Sequence, residues 1–180
     1  MDIEEDWEQF WLCDDWKPIE DFPDYFVSRN GLIRGKMKRI LKPNFCGNNR
    51  GYLVVQLCRD KKIFRKRVSV LVATAFISNP EHKPFVDHVN KDTLNNKVDN
   101  LRWATRSENL QNSKKRKNTS SRFKGVSRFK YHQNYWQASI RKNGKSIYLG
   151  TFSSDTAAAQ AYDRAALKLF GEFASINFKR

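Results

Sequence analysis

The sequence predicts an α+β protein in which a small β-rich module is followed by two units that each combine strands with a helix. Residues 16–67 form short strand-like runs separated by turn signals, and residues 85–112 follow the order strand, loop, strand, helix. Residues 123–178 contain two alternating strands followed by an alanine-rich helix. A length of 180 residues accommodates two or three compact modules of this kind.

The charge of the chain is divided unevenly along its length. The net charge is +15, yet residues 1–24 hold ten acidic residues and one basic residue, Lys17. Residues 25–180 therefore carry 33 Lys and Arg against nine Asp and Glu, a net charge of +24. Such a body favours a nucleic-acid partner, because Lys and Arg neutralise phosphates and release counterions. A basic protein without such a partner is the weaker alternative.

Cysteine usage and hydropathy exclude several classes of protein. Cys13, Cys46 and Cys58 are odd in number and contain no Cys-x-x-Cys pair, which argues against a disulfide framework and a structural zinc site. No apolar run approaches the roughly 20 residues that span a bilayer. The acidic N-terminus does not resemble a signal peptide. We expect an intracellular protein, in the cytoplasm or nucleoid, or in the nucleus of a eukaryotic host.

The first 67 residues divide into an acidic segment and a β-rich module. In residues 1–15, the spacing of Trp7, Phe10 and Trp11 fits one face of a short helix, which we expect to pack on the next module. A disordered tail and an acidic cover over a basic groove are the alternatives. Strands are predicted at Trp16–Ile19, Tyr25–Ser28, Gly31–Arg34, Ile40–Pro43, Tyr52–Leu57 and Ile63–Val68, with turns at Asn30-Gly31 and Arg59–Lys62.

The middle of the chain predicts a helix and then a strand pair. Val70–Ile77 reads as a short buried helix that Asn79-Pro80 ends. Phe85–Val89 reads as a strand, and Leu101–Trp103 as a second strand after a loop rich in asparagine.

A helix follows this strand pair. Thr105 and Glu108 have the spacing of a capping box, so the helix should start at about Arg106. Asn109 and Asn112 then fall three residues apart on one helical face.

The residue types in this stretch suit the hydrolysis of a phosphodiester. That reaction needs a base to activate water and a cation to stabilise charge. His88 suits the first task, because the pKa of histidine lies near physiological pH. The oxygen atoms of Asp87 and Asn109 suit a hard cation such as Mg²⁺. Since neighbouring strand residues point to opposite faces, Asp87 and His88 can share one site only where the strand ends or bends.

The C-terminal third of the chain predicts a basic linker and a separate sheet-and-helix unit. Residues 113–121 are polar and basic, and we expect them to lie along DNA; a nuclear import signal at Lys114–Lys117 is the alternative. On the strand around Trp136–Arg141, alternate residues point to an apolar and a polar face. A helix capped by Ser153 or Ser154 should run from Asp155 to about Phe170 and stop at Gly171. Four of its alanines are expected on the sheet: Ala157, Ala158, Ala161 and Ala165.

Residues 85–112 resemble the HNH homing endonucleases of the ββα-metal class. The matching pattern is Val-Asp-His, then Asn-Asn, then Asn-Leu-Arg-Trp-x-Thr and Asn-x-x-Asn. The resemblance implies that His88 is the general base, that Asp87 and Asn109 hold one divalent ion, Mg²⁺ or Mn²⁺, and that Asn100 pins the loop and orients the base. It also makes Asn112 and Arg102 auxiliary candidates.

Two further segments carry resemblances. Residues 16–45 resemble the small nuclease-associated module found upstream of such nucleases. Residues 122–178, with Phe-Lys-Gly-Val, Tyr-Leu-Gly-Thr-Phe and Ala-Tyr-Asp-x-Ala-Ala, resemble the Apetala-two/ethylene-response-factor DNA-binding domain. That family implies a three-stranded antiparallel sheet packed on one helix. The predicted bounds are 1–15 for the acidic segment, 16–67 for the β-rich module, 68–112 for the nuclease core, 113–121 for the linker and 122–180 for the DNA-binding domain.

The chain departs from these families at three places. Ser69-Val70 stands where relatives often have His-Arg, which removes a possible auxiliary contact. Asn90-Lys91 replaces an Asp-Gly turn, and we expect Asn90 to adopt the left-handed conformation that keeps the loop. Ser127 and Phe129 replace base-reading arginines of plant relatives, so plant target sequences do not carry over. The predicted DNA contacts are Lys114, Lys115, Arg116, Lys117, Arg122, Lys124, Arg128, Lys130, Gln137, Ser139, Arg141, Lys145, Ser146 and Tyr148.

These observations together predict a site-specific, divalent-metal-dependent DNA endonuclease of the homing type that acts as a monomer on double-stranded DNA. No membrane and no small-molecule substrate are expected. The sequence leaves open whether one strand or both are cut. The main alternative is a sequence-specific DNA-binding regulator with a decayed nuclease core. An RNA-binding role lacks a recognised RNA module.

Overall fold

The computed structural model describes residues 15–35, 37–46, 51–113, 115, 119–132 and 134–178. It divides into two compact units, a first unit up to Ala104 and a second unit from Thr105. This division falls inside the predicted 68–112 core, so the predicted domain bounds remain a prediction. The helix expected around Trp7 lies outside the described residues. No helix in the described part of the chain is long and apolar enough to cross a membrane.

The first unit opens with two three-stranded antiparallel sheets. The first sheet has the order β1-β2-β3 and the second the order β4-β5-β6. Their strands are β1 (Trp16–Ile19), β2 (Phe22–Ser28), β3 (Ile33–Arg34), β4 (Asn44–Phe45), β5 (Leu53–Arg59) and β6 (Lys62–Arg67).

Both predicted turns are present in these sheets, but one predicted strand is wrong. Gly31 has φ +84°, and Asp60 and Lys61 have φ +51° and +58°, the left-handed conformations that tight hairpins need. The strand expected at Ile40–Pro43 is reduced to a single bridge between Arg34 and Ile40. The short β4, which follows Pro43, pairs with β5.

A short helix joins the two sheets into one core. Helix α1 (Val68–Phe76) begins two residues earlier than expected and directly follows β6. The strand pair β7 (Phe85–His88) and β8 (Leu101–Ala104) follows, with a 3-10 turn at Val98–Asn100 before β8. The buried core of the unit draws on β1, β2, β3, β5, α1 and β8: Ile19, Phe22, Val27, Ile33, Val55, Leu57, Val68, Leu71, Val72 and Leu101 are buried together.

The second unit contains the predicted nuclease helix and a sheet packed on a long helix. Helix α2 (Arg106–Gln111) is followed by β9 (Val126–Arg128), β10 (Trp136–Lys142), β11 (Lys145–Phe152) and helix α3 (Asp155–Phe170). The sheet order is β11-β10-β9, and all pairs are antiparallel. The predicted α+β class and the C-terminal three-stranded sheet on a helix are therefore confirmed.

The helix face that covers this sheet differs by about one residue from the expected one. Ala158, Ala159, Tyr162 and Ala166 are buried, whereas Ala157, Ala161 and Ala165 are only partly so. The spacing of 158, 162 and 166 is one helical stripe, and it includes Tyr162 rather than alanines alone. Burial, with Asp163 alongside, raises the pKa of Tyr162 to about 12, so its phenol is neutral at physiological pH.

Two close contacts connect α3 to the loop before β9. Gly125 has φ +77°, and a Cβ atom at this position would lie 1.9 Å from the Tyr162 ring. The buried Asp163 carboxylate accepts hydrogen bonds from the backbone and side-chain amides of Asn177 and from the backbone of Phe178. Asn177 in turn bonds both backbone groups of Lys124. Lys124, Gly125, Tyr162 and Asp163, which belong to the motifs quoted for the C-terminal resemblance, are thus held together by packing and hydrogen bonds.

Candidate active site

Strand β7 ends at the two residues that were expected to carry the chemistry. Asp87 pairs with Arg102 and His88 with Leu101 across the β7-β8 ladder. Asp87 and His88 are buried, with 5% and 4% of their surfaces exposed. The chain leaves the strand in a turn directly after His88, where the amide of Lys91 donates to the His88 carbonyl at 2.8 Å. The condition that the strand end at this pair is therefore met.

In the turn after β7, the left-handed residue is not the one that was expected. Lys91, with φ +64°, adopts the left-handed conformation. The Asn90 side chain accepts a hydrogen bond from the amide of Asp92 at 2.8 Å, as in an Asx turn. Lys91 thus takes the position that glycine has in an Asp-Gly turn. The prediction that Asn90 would adopt the left-handed conformation was wrong.

The Asp87 carboxylate is held by an arginine on the neighbouring strand. Nε and Nη2 of Arg102 donate to Oδ2 of Asp87 at 3.0 and 2.8 Å. Both side chains are largely buried, with exposures of 13% for Arg102 and 6% for Asp87. A buried carboxylate needs such compensation, because its desolvation is costly. Arg102, an auxiliary candidate from the sequence, thus orients the predicted metal ligand.

A buried asparagine lies beside the His88 imidazole. Nε2 of His88 lies 3.1 Å from Oδ1 of the buried Asn96. The Asn96 amide nitrogen donates to the carbonyl of Leu94 at 3.1 Å, which turns its oxygen toward the imidazole. This arrangement suits Nε2–H of His88 as the donor to the Asn96 oxygen. The ring of Tyr52 lies beside the imidazole, with centroids 6.1 Å apart.

Asn100 fixes the loop that follows His88. Its side chain accepts from the amide of Asn90 at 3.0 Å and donates to the carbonyl of Asn95 at 2.7 Å. Its carbonyl accepts from the amide of Val89 at 2.9 Å. Through these three hydrogen bonds Asn100 holds the two ends of the loop together. Only 8% of its surface is exposed.

The turn between β2 and β3 of the first sheet contacts the same loop. The amide of Val98 donates to the carbonyl of Arg29 at 2.9 Å. A Cβ atom on Gly31 would lie 3.1 Å from both Cβ and the carbonyl oxygen of Asn96. The β-rich module is therefore part of the support for the His88 loop, a contact that no local sequence pattern predicts.

The second predicted metal ligand, Asn109, lies on α2 in the second unit. The capping box is present: Thr105 Oγ1 accepts from the amide of Glu108 at 3.2 Å, and the Glu108 carboxylate accepts from the amide of Thr105 at 2.7 Å. Asn109 is partly buried in the last part of this six-residue helix. Asn112, the auxiliary candidate, is the buried C-cap residue.

The candidate DNA face of the C-terminal sheet is continuous. Cross-strand pairs join Ser139 to Tyr148 and Arg141 to Ser146. Gln137 extends the face by pairing with Ser127, to which its side chain donates at 3.0 Å. Paired residues of an antiparallel sheet point to the same side, so these predicted contacts share one polar surface.

Other predicted contacts lie away from that surface. Arg128 pairs with Trp136, and its guanidinium lies over the Trp136 ring, on the side of the sheet that faces α3. Lys145 pairs with Lys142 at the hairpin turn, and Lys130 lies in the exposed loop after β9.

Three more candidates lie outside the sheet. Arg122 forms an exposed ion pair with Asp155, and Lys115 is partly buried. The ammonium of Lys124 donates to main-chain carbonyls at the end of α2. Lys114, Arg116 and Lys117 lie outside the described residues.

The donor atoms fit a hard divalent ion better than zinc. In the part of the chain that is described, no group of three or more His, Cys, Asp and Glu side chains could hold a metal. The predicted ligands are one carboxylate and one amide oxygen. Mg²⁺ is commonly bound in this way, by one or two protein oxygens completed by water and substrate phosphate.

Two segments of the chain match known protein families. Residues 68–111 match the HNH endonuclease family model, and residues 14–58 match the NUMOD4 motif. The chain therefore contains an HNH endonuclease domain preceded by a NUMOD4 motif, and the resemblances of the sequence to these modules are confirmed.

The relatives are similar over part of their length. An uncharacterised HNH endonuclease of Acanthamoeba polyphaga mimivirus is 39% identical over 104 residues, which cover 54% of this chain and 25% of the relative. A second one from the same virus is 42% identical over 93 residues, covering 52% and 46%. At the C-terminal region, APETALA2-like protein 2 of Oryza sativa subsp. indica is 48% identical over 59 residues, covering 33% and 13%. The chain thus spans less than half the length of each of these relatives.

A solved structure is also similar. It concerns DNA binding and cleavage by the HNH homing endonuclease I-HmuI, and it matches with a TM-score of 0.50 and 32% identity. The match covers 54% of this chain and 56% of that chain.

Proposed function

We propose that this protein is a divalent-metal-dependent, site-specific DNA endonuclease of the homing type. The observation that carries the proposal is the buried Asp87-His88 pair at the end of β7, inside the segment that matches HNH endonucleases. The structural similarity to I-HmuI, which binds and cleaves DNA, supports DNA as the substrate.

His88 acts as the general base in this proposal. Its imidazole accepts a proton from the water that attacks the scissile phosphorus, with the Asn96 oxygen beside Nε2. The imidazole gains a charge in this step, and the Asn96 oxygen stabilises that charge through the same hydrogen bond. Asn100 holds the loop in which both side chains are set.

Asp87 and Asn109 would hold one Mg²⁺ or Mn²⁺ ion. When bound, the ion neutralises charge on the phosphate and stabilises the leaving 3′ oxygen. The Arg102 guanidinium keeps the Asp87 carboxylate oriented through Oδ2.

DNA binding is assigned mainly to the C-terminal sheet and the basic linker. The face formed by Gln137, Ser139, Arg141, Ser146 and Tyr148 is polar, largely exposed and suited in shape to a groove. We expect a monomer to bind double-stranded DNA through this face and to cut at a distance from it.

The test of the metal requirement compares a divalent ion with a chelator. On duplex DNA that carries a selected target, we expect cleavage with Mg²⁺ or Mn²⁺ and none with EDTA. Asp87→Ala should lower the cleavage rate by at least about a hundredfold while DNA is still bound. Tight DNA binding without metal-dependent cleavage by the wild type would instead support a regulator with a decayed nuclease core.

A further inference from the structure

Lys124 contacts the helix that carries Asn109. Its ammonium donates to the carbonyl oxygens of Gln111 and Ser113, at 2.7 Å each. Gln111 is the last residue of α2, and Ser113 follows its C-cap. The last carbonyls of a helix have no intrahelical partners and lie at the negative end of the helix dipole, so a cation is well placed there.

The other end of Lys124 is fixed independently. Its backbone N–H donates to Oδ1 of Asn177 at 2.6 Å, and its carbonyl accepts from Nδ2 of Asn177 at 3.2 Å. Asn177 is held by the buried Asp163 of α3. The next residue, Gly125, lies directly against the Tyr162 ring. Lys124 therefore extends from a rigid point of the sheet-and-helix core to a helix that lies more than ten residues earlier in the chain.

We propose that Lys124 is a positioning residue that ties α2 to the C-terminal DNA-binding sheet. The tie bypasses all of the linker beyond its first residue, Ser113, so the offset between the bound sequence and Asn109 is set by this contact and not by the length of the linker. The consequence of this contact, a defined distance along the DNA between the bound sequence and the cut, rests on the proposed function. It also gives Lys124 a role inside the protein in place of the phosphate contact expected from its charge.

Hydrogen exchange in the free protein tests the tie without any cleavage. Lys124→Met should speed exchange of the backbone amides of Asn112 and Ser113 about tenfold, the effect expected from losing a hydrogen bond to a charged donor. Lys124→Arg should restore most of the protection, because a guanidinium can also donate to two carbonyls. Lys168→Met, which removes an exposed lysine of α3, is the matched control and should leave these amides unchanged. Equal exchange in Lys124→Met and the control would overturn the proposal.

Cleavage mapping on duplex DNA tests the consequence. Lys124→Met should keep DNA affinity within about threefold but slow cleavage and spread the cut over neighbouring phosphates. Lys130→Met, at an exposed candidate phosphate contact, should weaken binding and leave the cut position sharp. If Lys124→Met behaves like Lys130→Met, Lys124 is a phosphate contact and the proposal is wrong. If the wild type does not cut DNA, the proposed function fails, and hydrogen exchange still decides whether the tie exists.

Discussion

The imidazole of His88 and the amide of Asn96 are the most informative pair in the protein. Both are buried, and the hydrogen bond from Asn96 to the Leu94 carbonyl turns the Asn96 oxygen toward Nε2 of His88. His88 and Asp87 could be predicted from the sequence, because their chemistry and position match a base and a metal ligand. Asn96 could not be singled out, since it stands in a run with Asn95 and only the folded loop shows which amide reaches the imidazole.

At this scale we predict that Asn96 is needed for cleavage and not for DNA binding. Asn96→Ala removes the acceptor for Nε2 of His88 and should lower the single-turnover cleavage rate about ten- to hundredfold, the usual effect of losing a residue that orients a functional histidine. The control is Asn95→Ala, because the Asn95 side chain accepts only from the amide of Lys97, at 3.3 Å, among its described contacts. Equal cleavage by the two variants would show that Asn96 does not position the base.

Individual elements were predicted where their signals are local. The capping box placed the start of α2, and alternation placed β10, because both patterns depend on neighbouring residues. The predicted buried face of α3 differs by about one residue from the observed one. The observed face includes Tyr162, which packs on Gly125, and a contact between such distant parts of the sequence leaves no local pattern. The missing strand at Ile40–Pro43 has the same origin, because pairing partners are chosen by the whole sheet.

The turn between β2 and β3 illustrates a link between elements. Its shape followed from Asn30-Gly31, but its contact with Asn96 did not, because no local pattern reports a contact between two loops. Through this contact the first sheet limits where the loop carrying Asn96 can lie.

At the scale of elements we predict that Gly31→Ala impairs cleavage through the loop. The substitution adds a Cβ atom 3.1 Å from Asn96 and places alanine at φ +84°, which costs about 1 kcal/mol or more by itself. Gly144→Ala is the matched control, since Gly144 has φ +78° with nothing within 4 Å of the added atom. Both variants should lose thermal stability, but only Gly31→Ala should slow cleavage in a single-turnover assay. Similar cleavage rates for both would mean that the first sheet does not position the loop.

At the scale of the whole molecule, the basic body is the feature that was clearest from the sequence. Residues 25–180 carry a net charge of +24, and the chain contains an HNH endonuclease domain, so both point to DNA. The order of modules was predicted from resemblance, whereas the division of the structure at Ala104 was not. That division depends on how α2 packs with the C-terminal residues, as the Lys124 contacts show.

We predict a steep dependence of DNA binding on salt. If the basic residues contact six to ten phosphates, affinity should fall about 10³- to 10⁵-fold between 50 and 200 mM salt. Titration of labelled duplex DNA by fluorescence anisotropy measures this slope. An affinity that is nearly independent of salt would contradict binding through the basic surface.

The central claim is that His88 is the base of a metal-dependent nuclease site. The most direct measurement compares wild type with His88→Ala in Mg²⁺-dependent cleavage of duplex DNA, with each strand labelled and DNA affinity measured in parallel. We predict that the wild type cuts at a defined phosphate, and that His88→Ala binds with equal affinity but cuts at least about a hundredfold more slowly. Cleavage by His88→Ala at the wild-type rate would contradict the account.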